Sequence, residues 1–137
     1  MSDVINATNA PIPVGKYPHA RKVGNLLFLS GVGPRKPGTN TIPGVMMDGQ
    51  GNVIGHDIEA QCHSVFENVK IILDESGSSW DNLVDITVFL TNMKRDFDIF
   101  NKIYGDYFIN NQPCRTTLEV RSLPTPIAIE LKCIATV

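Results

Sequence analysis

Pro113-Cys114-Arg115-Thr116-Thr117-Leu118-Glu119-Val120 and, beyond a proline-rich turn, Ile127-Ala128-Ile129-Glu130-Leu131-Lys132-Cys133-Ile134-Ala135 are the runs from which the fold is read. Ile127, Ile129, Leu131, Cys133 and Ala135 fall on one face of a strand; Ala128, Glu130, Lys132 and Ile134 fall on the other. The first run predicts a strand over 116–120, with Arg115 at its mouth behind a Pro-Cys turn. A carboxylate in the middle of a β-branched strand is costly unless it is paired, hydrated or used. Glu130 therefore reads in two ways. It is a partner for Lys132 or a neighbouring strand on a wet face, or it is a working group. Arg115 is either a surface cation or a clamp for an anionic ligand.

Working outward, Leu83–Leu90 is apolar at most positions, which predicts a strand covered on both faces. A helix over 57–75 carries Ile58, Cys62, Val65, Phe66, Val69, Ile72 and Leu73 on one stripe. Asp57 is its expected N-cap and Gly77 its stop. Asp96 is the expected cap of a second helix over 97–108, turning Phe97, Phe100, Ile103, Tyr104, Tyr107 and Phe108 to the sheet. Residues 20–23 and 26–30 read as a hairpin around Gly24-Asn25, closed by Ser30-Gly31. Residues 1–16, with Pro11 and Pro13, are expected to be an extended arm without regular structure. Residues 32–55 are punctuated by Pro34, Pro37-Gly38, Pro43-Gly44 and Asp48-Gly49-Gln50-Gly51, and read as one long irregular loop, mobile or functional. Arg35 and Lys36 in it are either a solvated loop tip or the means to meet a second carboxylate.

The order β-β-α-β-α-β-β makes an α+β domain with two helices on one face of the sheet. The 137 residues suffice for one core, so the whole chain, 1–137, reads as a single domain. A strand apolar on both faces then needs a cover that one chain does not supply, and self-association is the economical answer. A net charge of −2 without a basic run argues against nucleic acid or an anionic membrane as partner. No stretch approaches membrane-spanning length. Cys62, Cys114 and Cys133 are odd in number and widely spaced, and Met1–Asn6 has no basic n-region before an apolar run; the expectation is a cytoplasmic protein. His19, His56 and His63, even with Cys62, lack a metal-ligand spacing, so no metal site is expected.

Tyr17, Ser30-Gly31, Asn101, Pro113-Cys114-Arg115-Thr116, Leu123-Pro124 and Ile129-Glu130, in that order, resemble the RidA/YjgF family of imine and enamine deaminases. The likeness runs from about Ala10 to Val137. Tyr17-Pro18-His19, Ser30 through Arg35, Gly55 through Gln61 and Leu123 through Ile127 are most similar to the 2-aminomuconate deaminase branch. The resemblance implies a chorismate-mutase-like fold, a homotrimer and sites in the clefts between subunits. It implies Arg115 and Glu130 as catalytic residues and Tyr17, Ser30, Gly31 and Asn101 as pocket residues. Thr117 stands where many members have cysteine, so thiol chemistry there is excluded and the pocket differs from the generic one. Cys114, beside Arg115, is either a reactive thiol or an inert one.

Hydrolysis of such a substrate needs few parts. A guanidinium holds the carboxylate, an acid completes protonation to the iminium, and a carboxylate deprotonates the attacking water. The carbon is already electrophilic, so no cofactor is expected. The leading expectation is 2-aminomuconate converted to 4-oxalocrotonate and ammonia. The alternatives are a broad 2-imino-acid deaminase and a non-catalytic, ligand-binding or RNA-related protein.

Overall fold

The computed structural model describes residues 2–137, with side chains from Asp3 onward. Eight strands and two helices run in the order β1 (Ser2–Ile5), β2 (Ala20–Val23), β3 (Leu26–Leu29), β4 (Val45–Met47), β5 (Val53–His56), α1 (Ile58–Glu75), β6 (Leu83–Leu90), α2 (Met93–Tyr107), β7 (Cys114–Glu119) and β8 (Ile129–Thr136). Six strands form one sheet in the order β1-β2-β3-β8-β6-β7, antiparallel except for the β6–β7 pair. This is the expected α+β arrangement, with additions at the start and in the long loop.

Alternation along β8 is as read from the sequence: Ile129, Leu131, Cys133 and Ala135 are buried, while Glu130, Lys132 and Ile134 are half-buried on the other face. In β6 a bulge at Val84 lets Leu83 and Ile86 both point inward, after which Val88 and Leu90 follow in phase. These side chains, with Leu27 and Leu29 of β3, make the sheet half of the core. The helices supply the other half: Cys62, Val65, Phe66, Val69 and Leu73 from α1, and Phe100, Ile103 and Tyr104 from α2. Burying a side chain such as Phe66 or Phe100 stabilises the fold by about 1.5–3 kcal/mol.

Asp57 caps α1, its carboxylate accepting from the Ala60 N–H. At the other end Gly77 takes φ 78°, and the Ser78 N–H reaches back to the Leu73 carbonyl. The second cap differs from expectation. Helix α2 starts at Met93, not 97, because Asn92 accepts from the Arg95 N–H and Glu119 of β7 accepts from the Met93 N–H. Asp96 lies inside the first turn, almost fully buried and forked onto Arg95. Phe97 is half-buried and Tyr107 exposed, so the stripe facing the sheet is narrower than read.

Two further expectations are corrected. The arm over 1–16 includes β1, which pairs with β2. The loop over 32–55 includes β4 and β5, a hairpin turning at Asp48–Gly51 with a positive φ at Gly51. Finally, only one face of β6 is covered within the chain. On the helix-free face Val84, Phe28, Leu26, Val23 and Val4 remain 36–58% exposed.

Candidate active site

Strand β8 begins at Ile129 rather than 127, so Glu130 sits one residue inside its start, not mid-strand, on the helix-free face opposite Phe89 of β6. The isolated bridge between Val32 and Leu131 brings the end of the β3 segment alongside, so the backbone of Gly31 lies against the Glu130 carboxylate. A Cβ at residue 31 would stand 2.9 Å from Glu130 Oε2 and 3.0 Å from Cδ. Glycine is thus required by a close approach rather than by backbone conformation. Burial pushes the Glu130 carboxyl above the usual carboxylate range. Lys132, the neighbour expected to neutralise it, turns its Nζ to the Leu29 carbonyl instead. Among the described residues no ion pair or hydrogen bond to Glu130 is found. A half-buried, unpaired carboxylate with a raised pKa is what a proton carrier needs.

Tyr17 and Ser30 lie beside Gly31, and through it next to Glu130, at a cavity that also reaches Ile72 of α1. The Ser30 hydroxyl donates to the Pro18 carbonyl at 2.7 Å, and the Ser30 N–H donates to the His19 carbonyl. His19, buried, accepts from the Ala7 N–H at Nδ1, so its Nε2–H donates to the Pro11 carbonyl. These bonds fold the 7–19 segment over Ser30-Gly31 and enclose a small cup of 40 Å³ lined by Tyr17, Ser30, Gly31 and Arg35. The Tyr17 hydroxyl accepts from the Val14 N–H at 3.3 Å, and its ring is 42% exposed at the rim.

Arg115 lies elsewhere. It pairs in register with Ile86, whose side chain is fully buried on the helix face, whereas Glu130 pairs with Phe89 on the open face. Two strand spacings of about 4.8 Å and three residues of about 3.3 Å put the two Cα atoms roughly 14 Å apart, with side chains on opposite faces. The Arg115 guanidinium rests on aromatic rings of α2: 4.6 Å from the Tyr104 centroid, 5.3 Å from Phe100 and 6.0 Å from Phe97. Such stacking holds its plane while leaving N–H groups for a ligand. Thr117 follows on the same side, its Oγ1 buried and unpartnered; Asn101 stands exposed on α2 between Phe97 and Tyr104. The predicted residues therefore form two groups within one chain: Tyr17, Ser30, Gly31 and Glu130 in one, and Arg115, Thr117 and Asn101 in the other.

Tyr104 was missed as a site residue. Its ring carries Arg115, its hydroxyl is buried without a partner, and burial raises its pKa to about 12. Phe97, Phe100 and Tyr104 have the spacing of a core stripe, and nothing in that spacing distinguishes a core face from a cation platform. Also unforeseen is a polar stripe on α1. Gln61 accepts from the Ala128 N–H at the entry to β8, Ser64 donates to the Pro34 carbonyl, and Asn68 donates to the carbonyls of Gly33 and Arg35. All three are buried. They pin both segments that flank Glu130. Among the described residues no three His, Cys, Asp or Glu side chains gather as a metal site, and no helix is long and apolar enough to cross a membrane.

A model of the protein family described as Endoribonuclease L-PSP matches residues 7–137. A RutC family protein of Pyrococcus horikoshii is 38% identical over 135 residues, 98% of each chain. Reactive Intermediate Deaminase A, chloroplastic, of Arabidopsis thaliana is 35% identical over 134 residues, covering 98% of this chain and 65% of that protein. A crystal structure of a conserved Rid family protein from Yersinia pestis superposes with a TM-score of 0.86 at 33% identity, covering all of both chains. With a sequence match across nearly its full length and the same fold, the chain belongs to the RidA/YjgF family.

Proposed function

We propose that this protein is a hydrolytic deaminase of carboxylate-bearing enamines and imines, with 2-aminomuconate as its substrate and 4-oxalocrotonate and ammonia as products. The observation that carries the reading is Glu130: an unpaired carboxylate, its pKa raised by burial, set against a glycine that leaves room for a ligand. Its separation from Arg115, on the opposite sheet face, supports a site completed by a second copy of the chain, within a homotrimer that covers the apolar open face.

In this mechanism Arg115 forks onto the substrate carboxylate. Protonation of the enamine carbon by a proton from solvent, matched by the hydroxyl proton released at the end, gives the iminium. Glu130 takes a proton from water as the oxygen bonds to the iminium carbon, and a tetrahedral amino alcohol forms. The protonated Glu130 then returns the proton to nitrogen. The C–N bond breaks, ammonia leaves, and loss of the hydroxyl proton yields the oxo acid. A raised carboxyl pKa suits a group that must both take up and deliver this proton.

The test is ammonia release from freshly generated 2-aminomuconate. Glu130→Gln is expected to turn over about 10²–10⁴-fold more slowly with little change in the binding of a dicarboxylate analogue. Turnover at the wild-type rate refutes the role of Glu130. Light scattering is expected to give a trimer mass, and a monomer mass in dilute solution refutes the shared site.

A second reading, RNA cleavage, is favoured by the description of the family model and by a similar solved structure from Thermotoga maritima described as a putative endoribonuclease. The net charge of −2 opposes it. Nuclease activity that survives purification and disappears in Arg115→Ala, prepared identically, is the result that supports it.

A further inference from the structure

Arg35 stands where three cavities meet. It lines the cup of Tyr17, Ser30 and Gly31, a small cleft beside Ile12, and a 440 Å³ apolar slot formed by Val14, Ile42, Val45, Met47 and Pro126. Its side chain is half-buried, and its Nη2 donates to a neutral acceptor, the Ile12 carbonyl. The ion pairs among the described residues are Lys70–Asp74 and Arg95–Asp96, so no carboxylate neutralises it. A partly desolvated guanidinium with spare donors, sharing the cup with Tyr17, Ser30 and Gly31, suits the far carboxylate of a ligand held there.

The surrounding structure is built to hold it there. Asn68 of α1, 1% exposed, donates to the Gly33 and Arg35 carbonyls at 2.9 and 2.7 Å. Ser64, 6% exposed, donates to the Pro34 carbonyl at 2.7 Å. Two buried polar side chains are thus committed to three successive carbonyls of the segment presenting Arg35. Fixing backbone in this way pre-organises a binding group and lowers the entropy lost when a ligand arrives.

We propose that Arg35 binds the distal carboxylate of a dicarboxylate whose reacting end lies at Gly31 and Glu130, the chain crossing the cup beside Tyr17 and Ser30. The proposal rests on the deaminase reading for its reacting end and deepens it by naming the residue that selects a dicarboxylate over a monocarboxylate.

Binding of two non-reacting probes separates the ideas. Muconate and sorbate share a six-carbon diene, and muconate has the second carboxylate. Titration calorimetry on the intact protein is expected to show muconate about 10- to 100-fold tighter than sorbate, the range of one charge-assisted pair. Arg35→Gln should erase most of that difference, weakening muconate and leaving sorbate unchanged; Arg35→Lys should keep part of it. Light scattering and thermal unfolding on each variant are expected to match the wild type. The proposal is overturned if the wild type does not prefer muconate, if Arg35→Gln leaves the preference intact, or if the preference falls only together with a changed oligomer mass. Neither probe is turned over, so absence of deaminase activity sinks the function and leaves this result standing.

Discussion

Replacing Gly31 by alanine should separate chemistry from stability. Gly31 is not among the glycines with positive φ, so alanine is allowed by the backbone. The added Cβ meets Glu130 Oε2 at 2.9 Å and Cδ at 3.0 Å, where ordinary contact begins at 3.4 Å. The carboxylate must therefore retreat by about 0.5 Å, which a terminal group achieves by small χ rotations at little cost. A 1 Å misplacement of a reacting group costs about 10²-fold, so half of that predicts a kcat about tenfold lower. Lost unfolded-state freedom offsets the local crowding by about 0.4–1 kcal/mol, leaving the melting temperature within a few degrees. Gly105→Ala is the matched control, since a Cβ there, in α2, meets nothing within 4 Å. Steady-state ammonia release and thermal unfolding on both variants make the comparison. Wild-type kcat in Gly31→Ala, or a loss that tracks melting temperature in both variants, refutes the placement of the reacting carbon against Gly31.

Glu130→Gln should raise the melting temperature at neutral pH. Burial raises this carboxyl's pKa, so the folded state binds more protons than the unfolded state between the ordinary carboxylate pKa and the folded one. Stability then falls as pH rises through that window, and the variant's advantage should vanish below it; equal melting curves at pH 7 contradict the desolvation. Arg115→Lys keeps the charge and loses the fork stacked on Tyr104 and Phe100. Binding of a carboxylate analogue should weaken by about 1.5–3 kcal/mol, and unchanged affinity in calorimetry removes Arg115 from the site. Exhaustive chelation should leave deaminase activity intact, because the iminium carbon is electrophilic without a Lewis acid. Loss restored specifically by zinc redirects attention to His19, His56 and His63.

Local and periodic features were legible from the sequence. Helix α1 has a strong apolar stripe between Asp57 and Gly77, and β8 alternates without a break, so neighbouring residues alone fix their phase. Glu130 announced itself because a carboxylate stands among β-branched neighbours on the face opposite that apolar set. Features whose partners lie far along the chain stayed hidden. Strand β1 is four residues long and is stabilised by pairing with β2. Asp96 has the composition of a cap, yet the Met93 N–H is satisfied by Glu119, twenty-six residues away in sequence.

The sequence by itself determined the phase of the two strands that bear Arg115 and Glu130, because side-chain direction in a strand alternates by geometry. Only the tertiary structure decided that Arg115 and Glu130 lie on opposite faces of the sheet. Their phases are referenced to different strands, and β6 between them sets one against Ile86 and the other against Phe89. Register across strands depends on hydrogen bonds between distant segments and on the bulge at Val84, and no local pattern encodes it.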